Sequence, residues 1–221
     1  MAEEKSLSFT YNARYYKLGE INKFTKQVWF VVHGYGQLAK YFIKKFELLE
    51  SHQICVIAPE GLSRFYLEDI PTRMSGGSNR VGATWMTREN REMDIENYIN
   101  YLQSVYDIEL KGADNVYVSI LGFSQGAATA TRWALSGRPT FNRFILWAGI
   151  FPPDMNFESG KNILGSKDVV AVFGNEDPFI TPERKSEMEL LCNKLNLQPR
   201  QITFKGGHEI NDEAFNELLQ S

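Results

Sequence analysis

The sequence predicts an α/β protein with a mostly parallel central sheet and helices on both faces. Two observations carry that class. Short apolar runs alternate with segments of helical period, as strand–helix–strand units require. Several of the runs are apolar at nearly every position, the mark of strands buried on both faces. A third observation sets the extent. No internal repeat, low-complexity tract or Pro/Gly/Ser linker divides the 221 residues, so one domain spanning 1–221 is expected. That length can bury a continuous core without metal or disulfide staples.

The elements follow in order. Residues 7–11 and 14–17 flank Asn12-Ala13 and predict an antiparallel hairpin at the N-terminal edge of the sheet. Residues 28–33 form the first buried strand, and Leu38, Tyr41, Phe42, Phe46 and Leu49 then make one apolar helical stripe. Residues 54–58 are the next strand. The segment 61–85 is irregular and contains Pro71 and a Gly-rich stretch. A connection that long is usually a functional loop or a disorder-prone insertion, so it is expected as a long loop near the active site, either a substrate wall or a passive loop. Residues 88–106 read as an amphipathic helix, with Ile95, Tyr98, Ile99, Leu102, Val105 and Tyr106 on one side. The remaining strands are 116–121, 143–148, 168–173 and 201–204. Thr181 caps a helix with Pro182 at its first position, burying Met188, Leu191, Cys192 and Leu195. Asn211 caps the last helix, whose stripe is Phe215, Leu218 and Leu219.

Charge narrows the partners. Lys+Arg total 24 against 27 Asp+Glu, a net −3 without the basic excess of a polyanion binder. The small cluster Lys40, Lys44 and Lys45 falls on a solvated helix face. Nucleic acid and anionic membranes are therefore not expected as partners. The first residues lack a positive region followed by an apolar stretch, and no apolar run approaches the roughly 18 residues of a membrane span. Cys55 and Cys192 lie on apolar faces without zinc or redox spacing, which points to packing. A reduced, cytoplasmic protein is expected.

The chemistry centres on Gly122-Phe-Ser-Gln-Gly126, placed after a buried strand and before a small-residue helix. This is the G-x-S-x-G nucleophile elbow in its required strand–turn–helix setting. Ser124 must occupy a tight, strained turn to lift its Oγ above the sheet, and the flanking glycines let strand and helix backbones converge. A serine needs a base, and the chain offers His33, His52 and His208. His52 leads into a strand, at the opposite edge. His33 ends the first strand within His33-Gly-Tyr-Gly36. His208 follows the last strand, where such a sheet presents its functional loops, and completes the order Ser, acid, His. The acid should follow the strand 168–173. Asp177 and Glu176 both qualify, and Asp177 is preferred because Pro178 biases it to an extended backbone and its short side chain has fewer rotamers to lose. The backbone N–H groups of Tyr35 and Gln125 are expected to hold an oxyanion.

Together His33-Gly-Tyr-Gly36, Ala58-Pro59, Gly122-Phe-Ser-Gln-Gly126, Asp177-Pro178 and Gly207-His208 resemble the α/β-hydrolase serine esterases of the carboxylesterase/phospholipase type, which include acyl-protein thioesterases. Two departures stand out. Gln37 replaces the usual Asp after H-G-x-G, and Ala127 replaces a common third Gly. The resemblance implies an α/β-hydrolase fold and cleavage of small-molecule carboxylic esters or thioesters through an acyl-Ser124, with no metal or organic cofactor. Phe65, Tyr66, Trp85, Met86, Phe151 and Phe179 are the expected apolar walls, closing a short acyl pocket. A peptidase, or a silent ligand-binding protein on the same fold, is the alternative.

Overall fold

The computed structural model describes residues 1–113 and 115–220. After β1 (Tyr15–Leu18) and β2 (Gln27–Val32), the expected helix is broken into α1 (Ala39–Phe42), a 3-10 turn (Ile43–Phe46) and α2 (Glu47–Glu50). β3 (Ile54–Pro59) is followed by an excursion of β4 (Ser63–Tyr66), α3 (Ile70–Met74) and β5 (Val81–Thr84). Regular alternation then resumes: α4 (Arg91–Glu109), β6 (Tyr117–Phe123), α5 (Gln125–Leu135), β7 (Arg143–Trp147) and α6 (Phe157–Leu164). β8 (Asp168–Gly174), α7 (Pro182–Leu195), β9 (Arg200–Phe204) and α8 (Asp212–Leu219) complete it.

A seven-stranded sheet runs β1-β3-β2-β6-β7-β8-β9, parallel throughout except for β1 on β3. Two-residue periodicity sends Val28, Phe30 and Val32 to one core and Trp29 and Val31 to the other. α4, α5, α6 and α7 cover the first core, and α1, α2 and α8 cover the second. Both faces are thus apolar, as the continuous runs require. Cys55 and Cys192 are buried free thiols, and burial pushes each up to about 11, so both pack as small apolar groups.

The edge differs from the expected hairpin. Residues 7–11 form no strand and are exposed, whereas β1 pairs antiparallel with β3, Tyr15 opposite Pro59 and Leu18 opposite Val56. An isolated two-stranded hairpin is marginal, and Asn12-Ala13 lacks the Asn-Gly chemistry of a tight turn. The open edge of β3 offers a stronger template. Buried Glu60 fastens the join, accepting from Arg14 Nε at 2.7 Å, while Tyr101 donates its hydroxyl to Arg14 O at 2.6 Å.

The segment 61–85 is folded, with β4 and β5 forming a small antiparallel sheet. Asp69 caps α3 by accepting from Thr72 N at 2.9 Å, with Pro71 in the first turn. At Gly82 the backbone packs so closely on the Gly36 turn that a Cβ would lie 2.5 Å from Gly36 O. Ladder bonds tie the same segments: Gly36 N–H donates to Ala83 O and Ala83 N–H to Gln37 O.

Candidate active site

The sheet order reverses around β2, whose neighbours are β3 and β6, so a crevice opens past the carboxyl ends of β2 and β6. Val32 pairs with Gly122, which sets the turn after β2 beside the turn after β6. Ser124 lies in that second turn at φ 55°, ψ −118°, a strained conformation for a residue with a side chain. Its N–H donates to Trp147 O at 2.9 Å, which holds the turn in place. The flanking glycines are steric necessities. A Cβ on Gly126 would meet Val32 O at 2.1 Å, and one on Gly122 would meet Gly126 O at 2.4 Å. Ala127 is accommodated because Gly149 opposite it carries no side chain: a Cβ there would lie 2.5 Å from that of Ala127.

His208 and Asp177 arrive on the loops after β9 and β8. Asp177 Oδ2 accepts from His208 Nδ1 at 2.8 Å, and its Oδ1 accepts from Phe179 N at 2.9 Å. The carboxylate side chain is fully buried, and that of His208 is 21% exposed. Glu176, by contrast, is exposed. Gly174 lets the two loops meet, since a Cβ there would lie 2.4 Å from both Gly206 O and Gly207 O. The imidazole packs between Phe123 and Phe179, at 4.9 and 4.8 Å between ring centres.

His33 is bound at both nitrogens. Gly61 N–H donates to Nε2 at 2.9 Å, so the proton sits on Nδ1, which donates to Gly34 O at 2.7 Å. Burial pushes its pKa down to about 4, against smaller opposing effects of Gly34 and Glu60. His52 is exposed near Ser51 and Leu48 O. In the turn after β2, Gly34 N–H donates to Gln37 Oε1 at 2.8 Å and Gly36 N–H to Ala83 O at 2.9 Å. Gln37 thus braces the turn through its side-chain carbonyl. Gln125 opens α5, and its side chain clamps the excursion, accepting from Trp85 N at 3.3 Å and donating to Met86 O at 3.2 Å. Trp85 Nε1 donates to His33 O at 2.8 Å.

Two cavities meet at His208. One, of about 480 Å³, is lined by Ser124, Gln125 and His208 with Ile150, Phe151 and Phe179. The other, of about 600 Å³, is lined by His208 and Phe123 with Leu38, Tyr41, Leu67 and Val81. Among the expected walls, Phe151 and Phe179 line the cavity of Ser124, Phe151 from within the core. Trp85 is instead a buried core residue, Phe65 packs tilted on Tyr35 at 5.1 Å, Tyr66 lies under Arg73, and Met86 packs against the core with its sulfur 3.8 Å from Arg132. The excursion lines the larger cavity with Leu67, Asn79, Arg80 and Val81, residues the sequence does not single out because only the pairing of β4 with β5 brings them to its rim. Arg132 and Arg184, also unremarked in the sequence, line the smaller one.

Comparison with known proteins follows this geometry. A family model described as "Serine hydrolase (FSH1)" matches residues 24–214. The chain belongs to the FSH1 serine hydrolase family. That match spans the turn after β2, the serine elbow, Asp177 and His208. No curated protein matches the sequence at a significant level. Among solved structures, Zea mays acyl-protein thioesterase 2 is similar at 16% identity and TM-score 0.68, covering 95% of this chain and 97% of its own. Esterase PE8 gives 16% and 0.67 over 95% and 97%. The Bacillus cereus carboxylesterase gives 17% and 0.66 over 94% and 92%. At such identities the likeness is one of fold, the α/β-hydrolase fold.

Proposed function

We propose that this FSH1-family hydrolase cleaves small-molecule carboxylic esters or thioesters through an acyl-Ser124 intermediate. One observation carries the reading: His208, hydrogen-bonded to buried Asp177, shares a cavity with a serine on a strained elbow. In this mechanism Ser124 Oγ attacks the acyl carbonyl as His208 Nε2 takes its proton. Asp177 fixes the tautomer with Nδ1–H and stabilises the imidazolium. The tetrahedral intermediate collapses, the bond to the leaving group breaks, and His208 protonates the departing oxygen or sulfur. Water, activated by the same ring, then releases the acid.

The oxyanion donors in this reading are the N–H groups of Tyr35 and Gln125. Gly34 and Gly36 give their amides to Gln37 and Ala83, so Tyr35 supplies the amide of that turn, and Gln125 supplies the first amide of α5. Each such donor is typically worth about 2.7–4 kcal/mol in the transition state. The clamp from Gln125 to residues 85 and 86, with the Gly36–Ala83 bonds, holds the two donors in one frame. The test is incubation with a fluorophosphonate, followed by intact mass and peptide mapping. One adduct on Ser124, absent in Ser124→Ala, is expected. A folded protein that stays unlabelled while lacking ester turnover would instead favour a ligand-binding role, and amide turnover matching ester turnover would favour a peptidase.

A further inference from the structure

The cavity that holds Ser124 has a charge pattern opposite to that of the chain. Apart from His208, its charged lining residues are Arg132 and Arg184, and no carboxylate lines it among the described residues. Arg132 lies on α5 two turns beyond Ser124, about 12 Å along the axis at the usual rise per residue. Its side chain is 12% exposed, and its guanidinium donates to Asp154 Oδ1 at 2.7 Å. Arg91 takes the other oxygen of Asp154 and also pairs with Glu92 at 3.4 Å, so Asp154 is shared and does not belong to Arg132 alone. Arg184, in the first turn of α7, donates to Glu187 at 2.6 Å and is half exposed at the rim.

Which part of a substrate would meet these arginines follows from connectivity. The acyl carbon must bond to Ser124 Oγ, so the acyl chain occupies the cavity that Ser124 lines. The other cavity touches His208 but is not lined by Ser124, which suits a leaving group protonated by the imidazole. The same cavity is lined by Ala128, Ile150, Phe151 and Phe179, apolar surface for methylenes. A partly desolvated guanidinium is the group best matched to a carboxylate.

We propose that the enzyme prefers acyl groups ending in a carboxylate, the half-esters or half-thioesters of dicarboxylic acids, with Arg132 and Arg184 as the anion-binding end. This rests on Ser124 as the nucleophile. The test compares kcat/KM for the mono-para-nitrophenyl ester of hexanedioic acid with that of its uncharged ω-methyl ester. The wild type should favour the carboxylate by about tenfold or more, less so at high salt. Arg184→Gln, at the half-exposed rim, should cut that ratio several-fold, and Arg132→Gln with Arg184→Gln should bring it to about one. Equal rates on the two esters, or a ratio unmoved by Arg184→Gln, overturn the proposal. So does a preference for a carboxylate on the leaving group instead. Turnover of both esters without charge preference sinks this inference alone. No turnover and no fluorophosphonate adduct on Ser124 sinks the hydrolase reading with it.

Discussion

His33 and His208 both follow strands at the carboxyl edge of one sheet, yet their surroundings prepare them for opposite work. His33 is fully buried, and backbone groups of Gly61 and Gly34 occupy both its nitrogens, so its ring is a fixed neutral joint between β2 and the segment after β3. His208 spends one nitrogen on Asp177 and lines both cavities. A histidine held at both ends by backbone positions the chain. One held at one end by a carboxylate can move a proton at the other.

The largest expected effects separate these two rings. His208→Ala should lower kcat by several orders of magnitude, about 10⁵ or more by analogy with other serine triads. It also takes the donor from one oxygen of the buried Asp177 carboxylate while Phe179 N–H keeps the other, so some stability is lost as well. His33→Ala should instead act through stability, since the ring lines neither cavity. It leaves the buried Gly61 N–H without its acceptor, a loss of about 1–3 kcal/mol readable from urea unfolding. A His208→Ala enzyme that keeps near-normal ester turnover, or a His33→Ala protein as stable as wild type, would dissolve the contrast.

A smaller effect sharpens what makes His208 different. Asp177→Asn should preserve the fold and leave the ring in the wrong tautomer, costing up to about 10⁴ in kcat. Glu176→Gln, one residue earlier and exposed, should cost less than about tenfold. The two variants, assayed side by side on one activated ester with circular dichroism as the folding control, should not exchange these outcomes.

The contrast also marks how much the sequence discloses. The strands were legible because burial on both faces leaves unbroken apolar runs, and the elbow because Gly122 and Gly126 stand where backbones collide. Asp177 was separable from Glu176 by local chemistry, since Pro178 and a short side chain suit a fixed carboxylate. What stayed hidden depends on contacts distant in sequence. Residues 7–11 look like a strand locally, but β1 found a better partner in β3. Ser63–Tyr66 is mostly exposed and Val81–Thr84 carries Gly82, so neither reads as a strand until they pair. Trp85 looks like a pocket wall until its indole N–H is traced to His33 O. Arg132 and Arg184 come from different helices, and no local pattern announces their convergence on the cavity of Ser124.

The last expected effect is a pH dependence of stability produced by His33. Burial, the dominant cause, lowers the His33 pKa from an ordinary 6.5 to about 4 in the folded protein. Between those values the unfolded chain binds a proton that the folded chain refuses. Unfolding therefore takes up a proton there, and acid favours the unfolded state. The stabilisation is fully present above pH 6.5 and is lost as pH falls toward 4, with a slope approaching 1.4 kcal/mol per unit and a total of about 3 kcal/mol. Carboxylates titrate in the lower part of the same window, so the wild-type curve alone does not isolate the ring. Urea unfolding of wild type and of the non-titrating His33→Gln, at half-unit steps from pH 7.5 to 4.5, cancels their contribution in the difference. That difference should be flat above about 6.5 and then change sign or shrink steadily as pH falls, because only wild type loses stability through this group. A parallel pair of curves for wild type and His33→Gln would mean that His33 does not resist protonation in the fold, and that its role as a neutral joint is wrong.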